Sequence, residues 1–457
     1  MLTRFPARCA APHSSMTISN EISGAAAPSA PNPLPVDTAR ALIRRAVTPV
    51  AMVERVALRS ALGRVLAQDI VSPIDVPAHD NAAMDGYAFD GAALARCVDS
   101  NSTPASAVHA PLTLAVAGEA RAGHPFERVC RAGECVRIMT GAPMPSGCDT
   151  VVAQEFVTRN GSSISFDDQH IARGANCRRT GEDLARGHPA LAAGRVLRPA
   201  DLGLLASLGV AEVPVRRRLR VAFFSTGDEL RSIGEPLETG CVYDSNRYTL
   251  YAMLTRMNVE VLDLGVVRDE PAALEAALRA ACESADVVLT SGGVSVGDAD
   301  FTARMTETFG DVAFWQLAMR PGRPLAFGRL WPNGRDESAG SALFFGLPGN
   351  PVAVMVTFYQ LVREALVTMS GANADTPLQF AAESSVAIKK RPGRTEFLRG
   401  IATRDAAGKW SVAATRSQGS GVLSSMSEAN CFIILAHDQA DVAAGAPVDI
   451  MPFDGLV

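Results

Sequence analysis

Asp286-Val-Val-Leu-Thr-Ser-Gly-Gly-Val-Ser-Val-Gly-Asp-Ala-Asp300 passes from a β-branched apolar run into spaced glycines and then into acids. Val287–Leu289 suits a buried strand, and Gly292, Gly293 and Gly297 break it into a loop. Glycines let backbone N–H groups approach an anion with no Cβ in the way. The segment Phe301–Phe309 is predicted to be a helix whose N-terminus points at the same place. A plain strand-to-helix connection is an equally available reading of this stretch alone.

The flanking sequence decides the fold class. Strands are predicted at Val221–Ser225, Val259–Leu264, Val312–Leu317, Leu325–Phe327 and Leu343–Phe345. Helices are predicted at Tyr248–Met257, Pro271–Cys282 and Pro351–Leu366. Strands alternating with helices imply a doubly wound, mostly parallel α/β sheet with helices on both faces, binding its ligand at the carboxyl ends of the strands. Those ends are polar: Thr226-Gly-Asp-Glu229, then Arg268-Asp269, then Asp298 and Asp300. Arg320, Gly322, Arg323 and Pro324 follow, and finally Leu347-Pro-Gly-Asn-Pro351. Carboxylates can hold a hard cation such as Mg²⁺, while arginines and free N–H groups hold oxyanions. Together they suit a phosphate-bearing substrate bridged by a metal ion; the competing account is an ion-paired rim.

The remainder of the chain is read in the same way. At 457 residues about three domains are expected. With 47% hydrophobic and 20% charged residues and a net charge of -5, nothing favours nucleic acid. The apolar runs, such as Val352–Phe358, are too short to cross a bilayer, so no membrane is expected. Nine cysteines without C-x-x-C spacing fit unpaired thiols in a reducing, cytoplasmic setting, and no structural transition-metal site is expected. Residues 1–34 read as a disordered tail rather than a targeting peptide. Asp37 is expected to cap a helix from Val36, followed by a strand at Val53–Leu58 and a short helix at Ser60–Leu66. The expected division is 35–71 with 188–214 as a helix and strand linker domain, 72–187 as a β-rich domain, 215–375 as the α/β domain and 376–457 as a C-terminal β-domain. Asp85, in the polar loop Val76–Tyr87, has Asx-turn chemistry as its plainer role. Arg178, Arg179, Glu182 and Asp183 read as a surface ion-pair cluster, and Ser417–Gly421 as a loop that could touch a ligand, with a flexible turn as its plainer role.

Six motifs then occur in order: DNAAMDGYA (Asp80–Ala88), RIMTGAP (Arg137–Pro143), FSTGDEL (Phe224–Leu230), SGGVSVGDAD (Ser291–Asp300), MRPGRP (Met319–Pro324) and GLPGNP (Gly346–Pro351). With them the chain resembles the molybdopterin molybdenumtransferases, the MoeA proteins related to the C-terminal part of gephyrin, from about residue 36 to its end. The resemblance implies an elongated four-domain protein whose α/β domain holds the pterin. The implied reaction inserts molybdate into adenylylated molybdopterin with Mg²⁺-dependent loss of AMP.

The resemblance further implies a homodimer, with Asp85 and Thr140 of one subunit facing Glu229, Asp269 and Asp300 of the other, these three also being the metal ligands. Ser291, Gly292, Gly293, Ser295, Gly297, Arg320, Arg323, Pro348, Gly349 and Pro351 are implied to bind substrate. The molybdopterin adenylyltransferase and molybdoenzyme maturation proteins are implied partners. Where some relatives carry lysines around R-P-G-R-P, this chain has Gln316, Arg320 and Arg323, and Gln316 brings no charge. The rival readings are a molybdopterin adenylyltransferase, which usually stands as the sheet domain alone, and a non-enzymatic gephyrin-like scaffold.

Overall fold

The computed structural model describes residues 33–97, 111–292, 309–333, 340–373 and 376–456. The chain divides into two units, one of Arg55–Leu62 with Leu66–Pro214 and one of Met1–Glu54, Gly63–Val65 and Val215–Val457.

The first unit is built on a sheet of six strands: β1 (Gly86–Phe89), β2 (Leu112–Ala120), β3 (Glu134–Ile138), β4 (Thr150–Ala153), β5 (Thr158–Asn160) and β6 (Ser163–Phe166). Their order is β4-β1-β3-β2-β6-β5, antiparallel except for the β2–β3 pair. Alternate side chains go to opposite faces. Ala88, Val136, Ile138 and Val151 therefore pack on one side, and Tyr87, Phe89, Cys135 and Val152 on the other. The close approach of β1 to β4 requires Gly86, where a Cβ would stand 2.0 Å from the Val152 carbonyl oxygen. The helix expected over Ser60–Leu66 is instead a single 3-10 turn at Leu58–Ser60. Beyond it the backbone pairs with distant carbonyls, Leu66 N–H with Arg195 at 2.9 Å and Ala67 N–H with Pro214 at 3.0 Å, which a helix would forbid.

The second unit opens with α1 (Val36–Ala46), which buries Val36, Ala39 and Ile43. Asp37 does not cap it; it lies in the first turn and pairs with Arg40 at 3.1 Å. The central sheet comprises β7 (Arg220–Thr226), β8 (Glu260–Val267), β9 (Val287–Ser291), β10 (Gly310–Gln316), the short β11 (Met319–Arg320) outside it, β12 (Pro324–Leu330) and β13 (Ala342–Leu347). Its order is β8-β7-β9-β13-β12-β10, parallel through β13 and closed by the antiparallel β12 and β10.

Helices α2 (Ser245–Arg256) and α3 (Pro271–Ser284) cover the two faces, with α4 beginning at Pro351–Thr357 on the α2 side. Val221, Phe223 and Leu289 meet Leu250 and Leu254 of α2, whereas Ala222, Phe224 and Val288 meet Leu274 and Leu278 of α3. Continuous apolar strands are the mark of a sheet buried on both faces. Prolines open α3 and α4, where a missing N–H costs nothing. Helix α4 runs on through a π segment at Phe358–Val362 to Met369. Pro351–Met369 is thus longer than the apolar run suggested and reaches membrane-spanning length, but 67% of it is buried inside this fold.

The last strands, β14 (Phe380–Ser384), β15 (Thr395–Arg404), β16 (Trp410–Ala414), β17 (Cys431–Leu435) and β18 (Pro447–Pro452), follow the order β15-β16-β14-β18-β17, and β17 pairs back onto β15 to close a barrel. The two-residue β11 adds to β15 in parallel, placing Met319 beside Thr395 and Arg320 beside Glu396.

Candidate active site at the carboxyl edge of the sheet

A cavity of about 1170 Å³ opens at the carboxyl ends of β7, β9 and β13 and is lined by Thr226, Glu229, Asp269, Ser291, Gly292, Arg320, Arg323, Pro348, Gly349 and Pro351. Three strand ends are locked together here. Gly292 has φ +91°, and a Cβ on it would lie 2.4 Å from the Thr226 carbonyl oxygen, so only glycine lets β9 turn against β7. Its N–H donates to Leu347 O at 3.2 Å. Asn246, buried at the start of α2, donates through Nδ2 to Ser291 Oγ and to Gly349 O, both at 2.7 Å.

Among the described residues, the acids Glu229, Asp244 and Asp269 of the cavity form no ion pair. Thr226 Oγ1 donates to Asp269 Oδ1. The Glu229 carboxylate is exposed and has no hydrogen-bond or ion-pair partner among the described residues. Asp244 caps α2 by accepting from Arg247 N at 3.1 Å, while its Oδ2 is buried without a partner. Among the described residues no three acidic, histidine or cysteine side chains form a metal cage.

Arg320 and Arg323 are exposed on the cavity wall. Arg394 joins them, its Nε held by Glu396 Oε1 at 2.8 Å. Behind this wall Arg399 is fully buried and donates to Ser425 Oγ at 3.2 Å, Ser417 O at 3.4 Å and Gly419 O at 3.2 Å. Burial, and secondarily the neighbouring Arg320 charge, lowers its pKa to about 10. Ser417–Gly421 is therefore no loose turn: Gln418 to Gly421 line the cavity, and Ser420 O accepts from Val352 N at 3.0 Å at the start of α4.

Gly293, Ser295, Gly297, Asp298 and Asp300 lie outside the described residues. Gln316 is not part of the lining, nor are Asp228 and Arg268, the latter facing Glu270 at 3.9 Å. Sequence reasoning missed Asp244, Asn246, Arg394 and Arg399. The usable signals were an Asp-Ser-Asn cap before the helix predicted at Tyr248–Met257, and two arginines bracketing the start of a predicted strand, Arg394 before it and Arg399 within it.

In the other unit Asp85 and Thr140 are in contact. Asp85 Oδ1 accepts from the Thr140 backbone N–H at 2.8 Å and from its hydroxyl at 2.7 Å. The backbone bond, then the hydroxyl bond, holds the Asp85 pKa below the usual carboxylate value, with a smaller contribution from the Arg137 charge. A depressed folded pKa stabilises the fold above the unfolded pKa and loses that effect as pH falls through the folded value. Thr140→Val removes one of the two bonds, so the Asp85 pKa should rise toward, but not reach, that of a free carboxyl. Carboxyl-carbon NMR titration checks this, and an unchanged midpoint would show the hydroxyl bond to be idle.

Comparison with known proteins gives the family of the chain. The family described as "MoeA N-terminal region (domain I and II)" matches residues 34–209, "Probable molybdopterin binding domain" matches 222–368, and "MoeA C-terminal region (domain IV)" matches 381–453. A molybdopterin molybdenumtransferase of Haemophilus influenzae is 42% identical over 425 residues, covering 93% of this chain and 100% of that protein. One from Bacillus subtilis is 33% identical over 427 residues, covering 92% and 94%. The crystal structure of the molybdopterin biosynthesis moeA protein from Pyrococcus horikoshii superposes with a TM-score of 0.76 at 29% identity, covering 92% of this chain and 100% of that one. The six ordered motifs, the doubly wound sheet with its appended barrel, and these matches together show that the chain belongs to the molybdopterin molybdenumtransferase (MoeA) family.

Proposed function

We propose that this protein inserts molybdate into adenylylated molybdopterin and releases AMP, in the last step of molybdenum cofactor assembly. The observation that carries the reading is a single cavity combining the carboxylates of Glu229 and Asp269 with the guanidiniums of Arg320 and Arg323. Breaking the anhydride between the pterin phosphate and AMP places charge on phosphoryl oxygens, and molybdate is itself a dianion. Both need cationic surroundings, which the arginines would provide.

Mg²⁺ fits the donor set, because it is commonly bound by one or two carboxylates plus substrate phosphates while keeping several waters. Glu229 and Asp269 would hold it, with Asp300 as the third proposed ligand. When bound, it supplies charge neutralisation at the phosphoryl oxygens. Ser291, Gly292, Gly293, Ser295 and Gly297 would cradle the pterin phosphate, with Pro348, Gly349 and Pro351 shaping the opposite loop. We further propose a cytoplasmic homodimer in which Asp85 and Thr140 act on the substrate held by the partner copy. The domain division given above stands as part of the same proposal.

The test is a reconstituted reaction. Purified protein with adenylylated molybdopterin, molybdate and Mg²⁺ should release AMP and yield cofactor that activates an apo-molybdoenzyme, and chelation of Mg²⁺ should stop both. Adenylylation of molybdopterin from ATP would instead mark the preceding enzyme of the pathway. Absence of either reaction would leave the scaffold reading.

A further inference from the structure

We propose that Arg394 is an oxyanion-binding residue of the cavity and that Glu396 is a positioning residue that presents its guanidinium to a tetrahedral dianion. Glu396 is 3% exposed, yet its carboxylate is directed at Arg394, which lines the cavity with 41% of its side chain accessible. The contact uses Nε alone, at 2.8 Å. The two terminal nitrogens have no partner among the described residues, so the outer fork of the guanidinium remains available. A planar fork matches two oxygens of phosphate or molybdate, whereas an ammonium presents only a point charge.

Backbone register explains why the pair sits where it does. Because β11 adds to β15 in parallel, Arg320 and Glu396 are direct neighbours on adjacent strands. The buried acid is thus the strand neighbour of Arg320 and the side-chain partner of Arg394, with the Arg399 charge close to Arg320. One carboxylate among several guanidiniums leaves net positive charge, which a dianion can neutralise. A pair serving only to stabilise the surface would have no need to bury its acid, since exposed pairs contribute little and burying a carboxylate is costly.

The identity of the anion rests on the transferase reading; the existence of the subsite does not. Calorimetric titration with sodium molybdate and, separately, with AMP, on the full chain and without turnover, tests it. Arg394→Ala should weaken binding of at least one of the two by about tenfold or more, as loss of a charge-assisted pair of hydrogen bonds requires. Loss for molybdate alone assigns the metal oxyanion to this residue, loss for AMP alone assigns a phosphate, and loss for both makes the subsite shared. Arg394→Lys should recover only part of the affinity.

Glu396→Gln, which keeps side-chain volume, should shift affinity in the same direction by a smaller factor, raising KM for the affected substrate with kcat little changed. A Glu396→Gln protein with a lowered melting temperature but wild-type affinities would overturn the positioning role. A folded Arg394→Ala protein with wild-type affinity for both anions would overturn the whole proposal, as would wild-type protein that binds neither. Wild-type protein that binds these anions but forms no cofactor would count against the reaction and leave the subsite standing.

Discussion

Exchange of Arg399 for alanine is expected to lower unfolding free energy by about 3 kcal/mol or more and to abolish cofactor formation. Arg399 is fully buried and donates to three acceptors, Ser425 Oγ and the carbonyls of Ser417 and Gly419, the Ser417 carbonyl also accepting from the Thr415 hydroxyl. Its own backbone is clasped by Gln418, whose Oε1 accepts from Arg399 N and whose Nε2 donates to Arg399 O, both at 3.0 Å. Truncation leaves a void beneath Ser417–Gly421 and strips that segment of its cationic anchor, so the loop should no longer hold its place in the cavity lining. Urea denaturation and the reconstituted assay report the two effects separately. A variant of unaltered stability and activity would show that the loop is held by its other contacts, those of Gln418 and of the Val352 N–H.

Glu229→Gln is expected to act in the opposite manner, slowing AMP release by about 10²–10³-fold while leaving the urea midpoint in place. The side chain is exposed and unpartnered among the described residues, so the amide disturbs no packing and breaks no native bond. What it removes is negative charge from the cavity that Asp269 also lines, and the Mg²⁺ concentration needed for half-maximal rate should rise with it. Asp269→Asn retains an oxygen that can accept from Thr226 and should reproduce the Mg²⁺ effect. If the double variant made cofactor at the normal rate and normal Mg²⁺ dependence, the two carboxylates would not be the metal-holding pair.

The contrast between these two positions also shows what could be read from sequence. Glu229 and Asp269 follow apolar strands directly, and chain order alone delivers such residues to one edge of a parallel sheet. The same logic brings Gly292, Arg320 and Pro348 to the cavity lining. Arg399 is different, because its importance depends on β17 pairing back onto β15 and on a loop folded over it. No local periodicity records such long-range pairing, and a charged residue in a strand reads first as an exposed one. Asp244 and Asn246 were hidden for a related reason: as helix-capping residue types they have a sufficient local role, and only the tertiary fold sets both in the cavity lining and Asn246 against Ser291 and Gly349. The misplaced helix at Ser60–Leu66 has the same origin, its backbone groups being claimed by carbonyls more than a hundred residues away.

The two-residue strand Met319–Arg320 couples the barrel to the chemistry more tightly than its length suggests. Side chains alternate along a strand, so slippage by a single position would turn every one of them to the opposite face. A change deep in the barrel that shifted this register would turn Arg320 away from the cavity or Glu396 away from Arg394 while sparing every acid on the sheet. Damage of that kind would mimic a lost anion ligand, although the mutated residue touched nothing that reacts.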